Sequence, residues 1–548
     1  MKNKNMTRRK ALQRIGVISA GSVIPQFIQA QPERIENPYE KSKSYSGNNS
    51  PNIVLIICDQ IRADVCKREG FSLDTTPFLD TLARSGIWFN KAYTSAPVCV
   101  PARTSLIAGR FPNATRIKSN HNIKDVIYSE DMIDVVKSRG YKTALIGKNH
   151  TYLTPDRFDY WKEYKHLGVP YPNTSEERTF NDYLKTTNFY ADYKPAPFPA
   201  EMQQPYRIVT DAQNWIASLQ NPDSPFFLKM SFPEPHSPYQ ISEPYYSLFP
   251  PDKLPPVLAG KEFRETKGKK FMIQAELQKK VRPNFEENIP RIRSNYFGML
   301  RLIDDQIKRF VGYLKENGLY ESTLLIFLSD HGDFVGEYGL TLKGVGLPEC
   351  LARIPMIWHG PGIIKQEEPH KAHISIVDVF PTICDTLGVR LPDGVQGRSI
   401  WPLLTGEKYP EEEFSSVLVQ QGTGGLDYTS LDQLDPYKYG GQWGGLVKGK
   451  KAFDELNSWS QSGILRMLRK EDWKLVYDMQ GRGQLYHLLN DPAEINNLYN
   501  HDEYKNQQME LLQDMMAWEL RTQDPMPLSG YIYRRDPRNY WMPYRSEM

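Results

Sequence analysis

Two stretches of the chain are apolar without alternation. Residues 52–58 (NIVLIIC) run into Asp59, and residues 322–329 (STLLIFLS) run into Asp330. A strand solvated on one face alternates apolar and polar positions. Continuous runs of this length therefore predict strands buried on both faces of a helix-covered sheet. Residues 142–146 and 225–230 predict two more strands, and the spacing between them predicts helices over 76–85, 131–138 and 296–316. Strand–helix alternation of this kind predicts an α/β core with a mostly parallel sheet flanked by helices. Ligands of such sheets bind beyond the carboxyl ends of the strands, which is where Asp59 and Asp330 fall. The prolines of 233–256 predict a surface loop or lid without regular structure. From 406 to 449 the chain is rich in Gly, Tyr and Asp and has no clear period. After it, 464–469, 473–477 and 484–489 alternate like short antiparallel strands, and 503–521 reads as a closing helix. The expected layout is a main domain over 51–405 and a smaller C-terminal α+β subdomain with an antiparallel sheet over 406–548.

Composition narrows the classes. Of 548 residues, 40% are hydrophobic and 24% charged, which excludes disorder for the bulk of the chain. Lys and Arg number 68 against 65 Asp and Glu, a net of +3. Proteins that coat nucleic acid carry a larger basic excess, so no nucleic-acid partner is expected. The five cysteines, Cys58, Cys66, Cys99, Cys350 and Cys384, are too few and too scattered for a disulfide scaffold or a CxxC metal site.

Residues 1–30 read as an export signal. Lys2, Lys4, Arg8, Arg9 and Lys10 form a basic head, 15–28 a short apolar stretch, and Ala30 a small residue at a cleavage point. The apolar stretch is shorter than the roughly 20 residues a bilayer span needs. Residues 7–12 (TRRKAL) resemble a twin-arginine signal, with general secretion as the other route. Residues 31–50 read as a linker. The expectation is an exported, periplasmic protein with no stable membrane anchor.

The most specific segment is 99–110, CVPARTSLIAGR. A cysteine at a helix N-terminus has a lowered thiol pKa and favours bound anions, which makes Cys99 a nucleophile candidate. Cys-x-Pro-x-Arg followed by a helix and Gly-Arg resembles the signature of the type I sulfatases, within the alkaline-phosphatase-like superfamily. The resemblance implies that a formylglycine-generating enzyme oxidises Cys99 to formylglycine, whose hydrate supplies an oxygen nucleophile. It implies an alkaline-phosphatase-like core as well. A sulfate monoester carries negative charge and is a weak electrophile. Its hydrolysis needs a metal, fixed cations, a nucleophile and an acid for the leaving oxygen.

The remaining motifs supply those parts in order. Asp59-Gln60 and Asp330-His331 each follow a buried run, and the resemblance makes all four metal ligands together with the matured residue 99. Many sulfatases have Asp-Asp and Asp-Asn at these pairs. Asp-Gln with Asp-His occurs in related members that include phosphonate monoester hydrolases. Ca²⁺ is the expected ion, and the imidazole of His331 leaves Mn²⁺ or Zn²⁺ open. Gly147-Lys148-Asn149-His150 resembles the family's Gly-Lys-x-His, in which Lys148 bridges the hydrate and the sulfate and His150 is the base that expels sulfate. Pro235-His236-Ser237-Pro238-Tyr239 resembles the family's Pro-His-x-Pro-Tyr/Phe, which implies that His236 binds the sulfate or protonates the leaving oxygen. Lys343, followed by Glu349, Arg353 and Pro355, resembles another of the family's runs, which implies that Lys343 neutralises a sulfate oxygen and helps the leaving group and that Arg103 holds residue 99. His121, His359, His370, His373, His487 and His501 match no motif and read as structural or exposed. Cys58 and Cys384 read as core.

The function expected from this resemblance is hydrolysis of sulfate esters on an external sulfated carbohydrate, such as ulvan or a glycosaminoglycan. The size of 151–290 and the 420–450 stretch, with Trp443, suggest an elaborated rim for a carbohydrate chain. Gln60 and His331 motivate the alternative of a phosphonate monoester or phosphodiester hydrolase on the same scaffold. A sulfoglycan-binding protein with a retired site is the non-enzymatic alternative, and it has no need of a modifiable Cys or a base.

Overall fold

The computed structural model describes residues 50–120, 130–172, 174–187, 190–219, 224–422 and 463–523, with two short strands at Leu446–Val447 and Lys450–Lys451. The export signal, all of the linker except Ser50, His121, Trp443 and most of 420–450 lie outside the described residues.

Seven strands form the central sheet: β1 Asn52–Asp59, β2 Ile87–Phe89, β3 Lys142–Gly147, β4 Tyr160–Glu163, β5 Phe226–Pro235, β6 Thr323–Ser329 and β7 Met356–His359. Their order is β2-β7-β6-β1-β5-β3-β4. The five from β6 to β4 are parallel, whereas β7 pairs antiparallel with β6 and β2 antiparallel with β7. The apolar runs do not alternate because both faces are covered. Ile53, Leu55 and Ile57 pack with Leu106, Phe380 and Ile383 on one side. Val54, Ile56 and Cys58 pack on the other with Ile303, Ile307 and Phe310 of the helix Ile289–Glu316. That helix begins earlier than the predicted residue 296, because Pro290 sits in its first turn, where its missing N–H costs nothing.

The strands at 52–58, 142–146, 225–230 and 322–329 are present with small extensions. Three short strands, β2, β4 and β7, carry no apolar run long enough to announce them. The stretch 233–256 is corrected in two ways. Residues up to Pro235 belong to β5, and 236–242 are buried rather than superficial. β3 pairs with β5 only as far as Ser231, so Pro233 and Pro235 deny no ladder bond to that neighbour.

A second sheet of four antiparallel strands, Ser416–Gln421, Leu465–Lys470, Trp473–Asp478 and Gly483–His487, carries the helix Lys505–Thr522. Ser416–Gln421 lies in the stretch read as aperiodic. It has no alternation because all six residues are buried. This sheet is fastened to the core beside residue 343. Gln421 Nε2 donates to Gly344 O at 2.6 Å, and Leu347 and Ala352 pack among Val417, Val419, Met467 and Val476. Tyr93 Oη donates to Glu349 Oε2 at 2.9 Å, and Lys474 Nζ lies 3.1 Å from Glu349 Oε1. Among the described residues, no helix is long and apolar enough to cross a membrane. All five cysteines are buried and none forms a disulfide.

Candidate active site

Five parallel strands end on one edge, and each delivers polar side chains there. β1 delivers Asp59 and Gln60, β6 Asp330 and His331, β3 Lys148 and His150, β5 His236, and β4 His166. The register keeps these ends level: Cys58 pairs with Ser329, and Asp59 with Pro235. Cys99 arrives separately, as the first residue of the buried helix Cys99–Ala108. One glycine is demanded by the packing. Gly147 has φ +113°, and a Cβ there would lie 1.9 Å from Ser231 O. The close approach lets Lys148 N donate to the same carbonyl at 2.7 Å, which turns the chain into the site.

Asp59, Cys99, Asp330 and His331 each offer a donor atom within 4.8 Å of all the others. Cys99 Sγ lies 3.2 Å from His331 Nε2 and 3.6 Å from Asp59 Oδ1. His331 Nε2 is 3.7 Å from Asp59 and 3.8 Å from Asp330. His331 Nδ1 is 2.8 Å from Gly332 O. A carbonyl only accepts, so Nδ1 carries the proton and Nε2 turns its lone pair to the cluster, the orientation metal-bound imidazoles take. Burial pushes the His331 imidazolium down to about 3, so the ring is neutral and able to ligate. Burial pushes the Asp330 carboxyl up, but the Arg103 guanidinium, with Lys148, outweighs it and holds the group well below the usual carboxylate range. Two carboxylates, one neutral imidazole and a small side chain on one buried spot fit a divalent cation.

Gln60 belongs to the same spot. Its Nε2 donates to Asp333, and Lys343 Nζ donates to its Oε1 at 2.6 Å. Because a carboxylate only accepts, this fixes the amide with its oxygen toward Lys343. Gln60 adopts φ +76°, and Tyr296 Oη donates to its carbonyl at 2.7 Å.

The cations surround the cluster. Arg103 Nε donates to Asp330 Oδ2 at 2.6 Å and Nη1 to Ser231 Oγ at 2.8 Å, while its buried Nη2 lies 3.7 Å from Asp59 Oδ2 and has no hydrogen-bond acceptor among the described residues. Lys148 Nζ is hydrogen-bonded to Asp59 Oδ2 and to His166 Nε2. Burial pushes the Cys99 thiol up, against the nearby Lys343, so the unmodified sulfur is protonated rather than a thiolate. His150 and His236 are both pushed well down, first by burial and then by the lysines around them. Both rings are therefore neutral at rest. His236 Nδ1 lies 2.7 Å from Ser237 O, which leaves its Nε2 to face the site.

The structure thus gathers Asp59, Gln60, Cys99, Arg103, Lys148, Asp330, His331 and Lys343 in one polar nest, with His150 and His236 at its mouth. None of His359, His370, His373, His487 or His501 joins them. The side chains at the site that no motif marks include His166, Ser231, Lys229 and Asp333. Lys229 is fully buried on β5, with Nζ 3.1 Å from Lys148 O, and burial pushes its ammonium well down. His166 stacks on His236 with ring centroids 3.7 Å apart. Its signal was its place, three residues beyond a strand that itself went unrecognised.

A family model described as Sulfatase matches residues 51–389. An arylsulfatase of Clostridium perfringens is 27% identical over 502 residues, covering 86% of this chain and 94% of that protein. An ulvan-active sulfatase of Formosa agariphila is 25% identical over 477 residues, covering 84% and 79%. A phosphonate monoester hydrolase from Silicibacter pomeroyi shares the fold, with a TM-score of 0.70 and 22% identity over 86% of this chain and 96% of that one.

Proposed function

From the premise that this chain belongs to the sulfatase family, we propose that it hydrolyses sulfate monoesters on a sulfated polysaccharide or oligosaccharide, with the matured residue 99 as nucleophile. One observation carries the reading. Cys99 heads a buried helix within 4.8 Å of Asp59, Asp330 and His331 donors, and Arg103, Lys148 and Lys343 stand around it. Asp59, Gln60, Asp330, His331 and residue 99 would hold the divalent metal, with Ca²⁺ proposed and Mn²⁺ or Zn²⁺ as the imidazole-compatible alternatives. Bound there, the cation supplies positive charge that stabilises an oxygen anion and draws charge off the ester.

The protein's own groups divide the remaining work. Arg103 orients residue 99 through Nη2, which makes no hydrogen bond among the described residues, while Asp330 fixes its Nε. Lys148 and Lys343 bind the sulfate oxygens, which preorganises charge where the transition state needs it. His236 presents Nε2 to the leaving oxygen. The anionic ester restores some of the basicity that the neighbouring lysines remove, so the ring can carry the proton it delivers. His150 is a neutral, half-buried base, and we assign it removal of the hydroxyl proton at residue 99 that releases sulfate and restores the aldehyde.

Carbohydrate as substrate is supported by the similarity to an ulvan-active sulfatase and by the export signal read in the sequence, which suits scavenging of external sulfated material. Periplasmic export and maturation by a formylglycine-generating enzyme belong to the same proposal. The test is sulfate release from ulvan- and glycosaminoglycan-derived oligosaccharides, beside matched aryl sulfates, phosphonates and phosphodiesters. Sulfate release from the oligosaccharides is expected. Turnover of phosphonates or phosphodiesters with none of any sulfate ester would favour the second reading, which rests on Gln60 and His331.

A further inference from the structure

His166 occupies a built position. β4 ends at Glu163, and a tight turn follows, closed by Lys165 N to Gly168 O at 2.8 Å and Gly168 N to Lys165 O at 3.0 Å. Asn181 clamps the far side of the turn, accepting from Val169 N at 3.0 Å and donating to Val169 O at 2.8 Å. This frame aims the imidazole into the site. Its Nε2 lies 2.9 Å from Lys148 Nζ and 3.9 Å from Asp59 Oδ2. Its face lies on His236, with centroids 3.7 Å apart and planes at 24°. His150 meets its edge, at 6.3 Å and 84°.

Lys148 Nζ is ion-paired with the Asp59 carboxylate, and a lysine in that pair only donates, which makes Nε2 of His166 the acceptor. With Asp59 and His166 as its two partners, Lys148 keeps its third N–H for a substrate oxygen. The stacked face meanwhile limits the plane His236 can adopt, so its Nε2 stays aimed. We propose that His166 is a positioning residue with two separable tasks, one performed by its nitrogen on Lys148 and the other by its ring face on His236. The proposal rests on the hydrolase reading above and adds a residue that none of the motifs contains.

The two tasks separate by substitution. His166→Phe keeps an aromatic face against His236 but deletes the acceptor for Lys148. His166→Gln keeps an acceptor but deletes the face. Displacing a positioned group by on the order of 1 Å costs about 10²-fold in rate. His166→Phe should lower kcat/KM by about that factor on every ester of an aryl series, because Lys148 serves the transferred group whatever leaves. His166→Gln should leave the best leaving groups nearly unchanged and lose progressively more as the leaving alcohol becomes more basic, because His236 serves the leaving oxygen.

The experiment is a leaving-group series on the class of aryl ester, sulfate or phosphonate, that the wild type turns over. Melting temperature and metal content are measured on the same samples. Wild-type turnover decides the hydrolase reading, and the two variants decide the role of His166. Opposite leaving-group behaviour of the two folded, metal-loaded variants is the expected result. Equal losses across the series in both, or activity within about twofold of wild type in both, would overturn it. If either variant does not fold, His166→Asn, which keeps a short polar side chain, is put through the same series against the other.

Discussion

Lys343 Nζ donates to the side-chain oxygen of Gln60 at 2.6 Å, across 283 positions of sequence. This contact joins the end of the first core strand to the loop that carries a proposed leaving-group cation. The Gln60 amide thus serves two partners, Asp333 and Lys343. Gln60→Glu should raise metal affinity, since it adds a third carboxylate beside the donor cluster, at the cost of the hydrogen bond to Asp333, and should immobilise Lys343 in an ion pair. Metal titration should therefore tighten, while kcat/KM on poor leaving groups falls by about 10²-fold, the scale of a lost acid or electrostatic assistant. Weaker metal binding in this variant would place the amide outside the donor set.

The histidines at the mouth should fail in different ways. His150→Ala should release alcohol in one burst and then stall with sulfate retained on residue 99. His236→Ala should show no burst and should recover in part with an activated aryl sulfate. Loss of a positioned acid or base costs about 10²–10⁴-fold. Rapid-quench measurement of the alcohol and mass spectrometry of the peptide holding residue 99 report the two behaviours. The same spectra should show the thiol sulfur of Cys99 replaced by oxygen in active wild type.

Glu234 should make stability depend on pH. Burial pushes its carboxyl up from 4.5 to about 7, and its buried Oε2 has no hydrogen-bond partner among the described residues, while Gln204 donates to Oε1 at 2.9 Å. Between those values the unfolded chain has released the proton and the folded chain still holds it, so stability falls as pH rises across that window and levels off above it. The loss is about 3 kcal/mol at most. Glu234→Gln should flatten this segment of the stability–pH curve and raise the melting temperature at pH 8 more than at pH 5. An unchanged difference between the two pH values would refute the assignment.

Glu349 should matter to folding more than to chemistry. It is charge-paired with Lys474, which is fully buried and also lies 2.8 Å from Glu494. Glu349→Ala leaves a buried ammonium with half its partners, and breaking such a pair costs about 3–5 kcal/mol. Calorimetry should show a drop of several degrees. Glu349→Gln, which keeps the hydrogen-bonding shape, should lose less.

The parts of this molecule legible in the sequence are those in which burial is total. β1 and β6 announced themselves because both faces are packed, and Asp59 and Asp330 followed because polar residues ending such runs have few other uses. Resemblance to the family's motifs, rather than any physical pattern, pointed to Cys99, Arg103, Lys148, His150, His236 and Lys343. His166 was hidden because β4 (YWKE) is half-buried along its length and carries no apolar run. Lys229 was hidden for the opposite reason. A lysine inside FFLKMSF looks like an exception to a core strand, and only the neighbouring Lys148 carbonyl explains why the chain tolerates it there. The strand Ser416–Gln421 escaped notice because its polar residues are satisfied by distant partners, Gln420 by Asn113 and Gln421 by Gly344.

That last bond has an engineering consequence. The carbonyl of Gly344, one residue past Lys343, is held by the C-terminal sheet, and Leu347 and Ala352 are roofed by Val417, Val419 and Met467. A chain cut at residue 405 would keep every motif residue and all seven strands of the central sheet. It would also leave the Lys343 loop without its brace and bare the apolar floor beneath it. Proteolytic nicking at this seam should therefore silence the enzyme while its secondary structure still looks intact, and any attempt to shorten the protein must keep both sheets together.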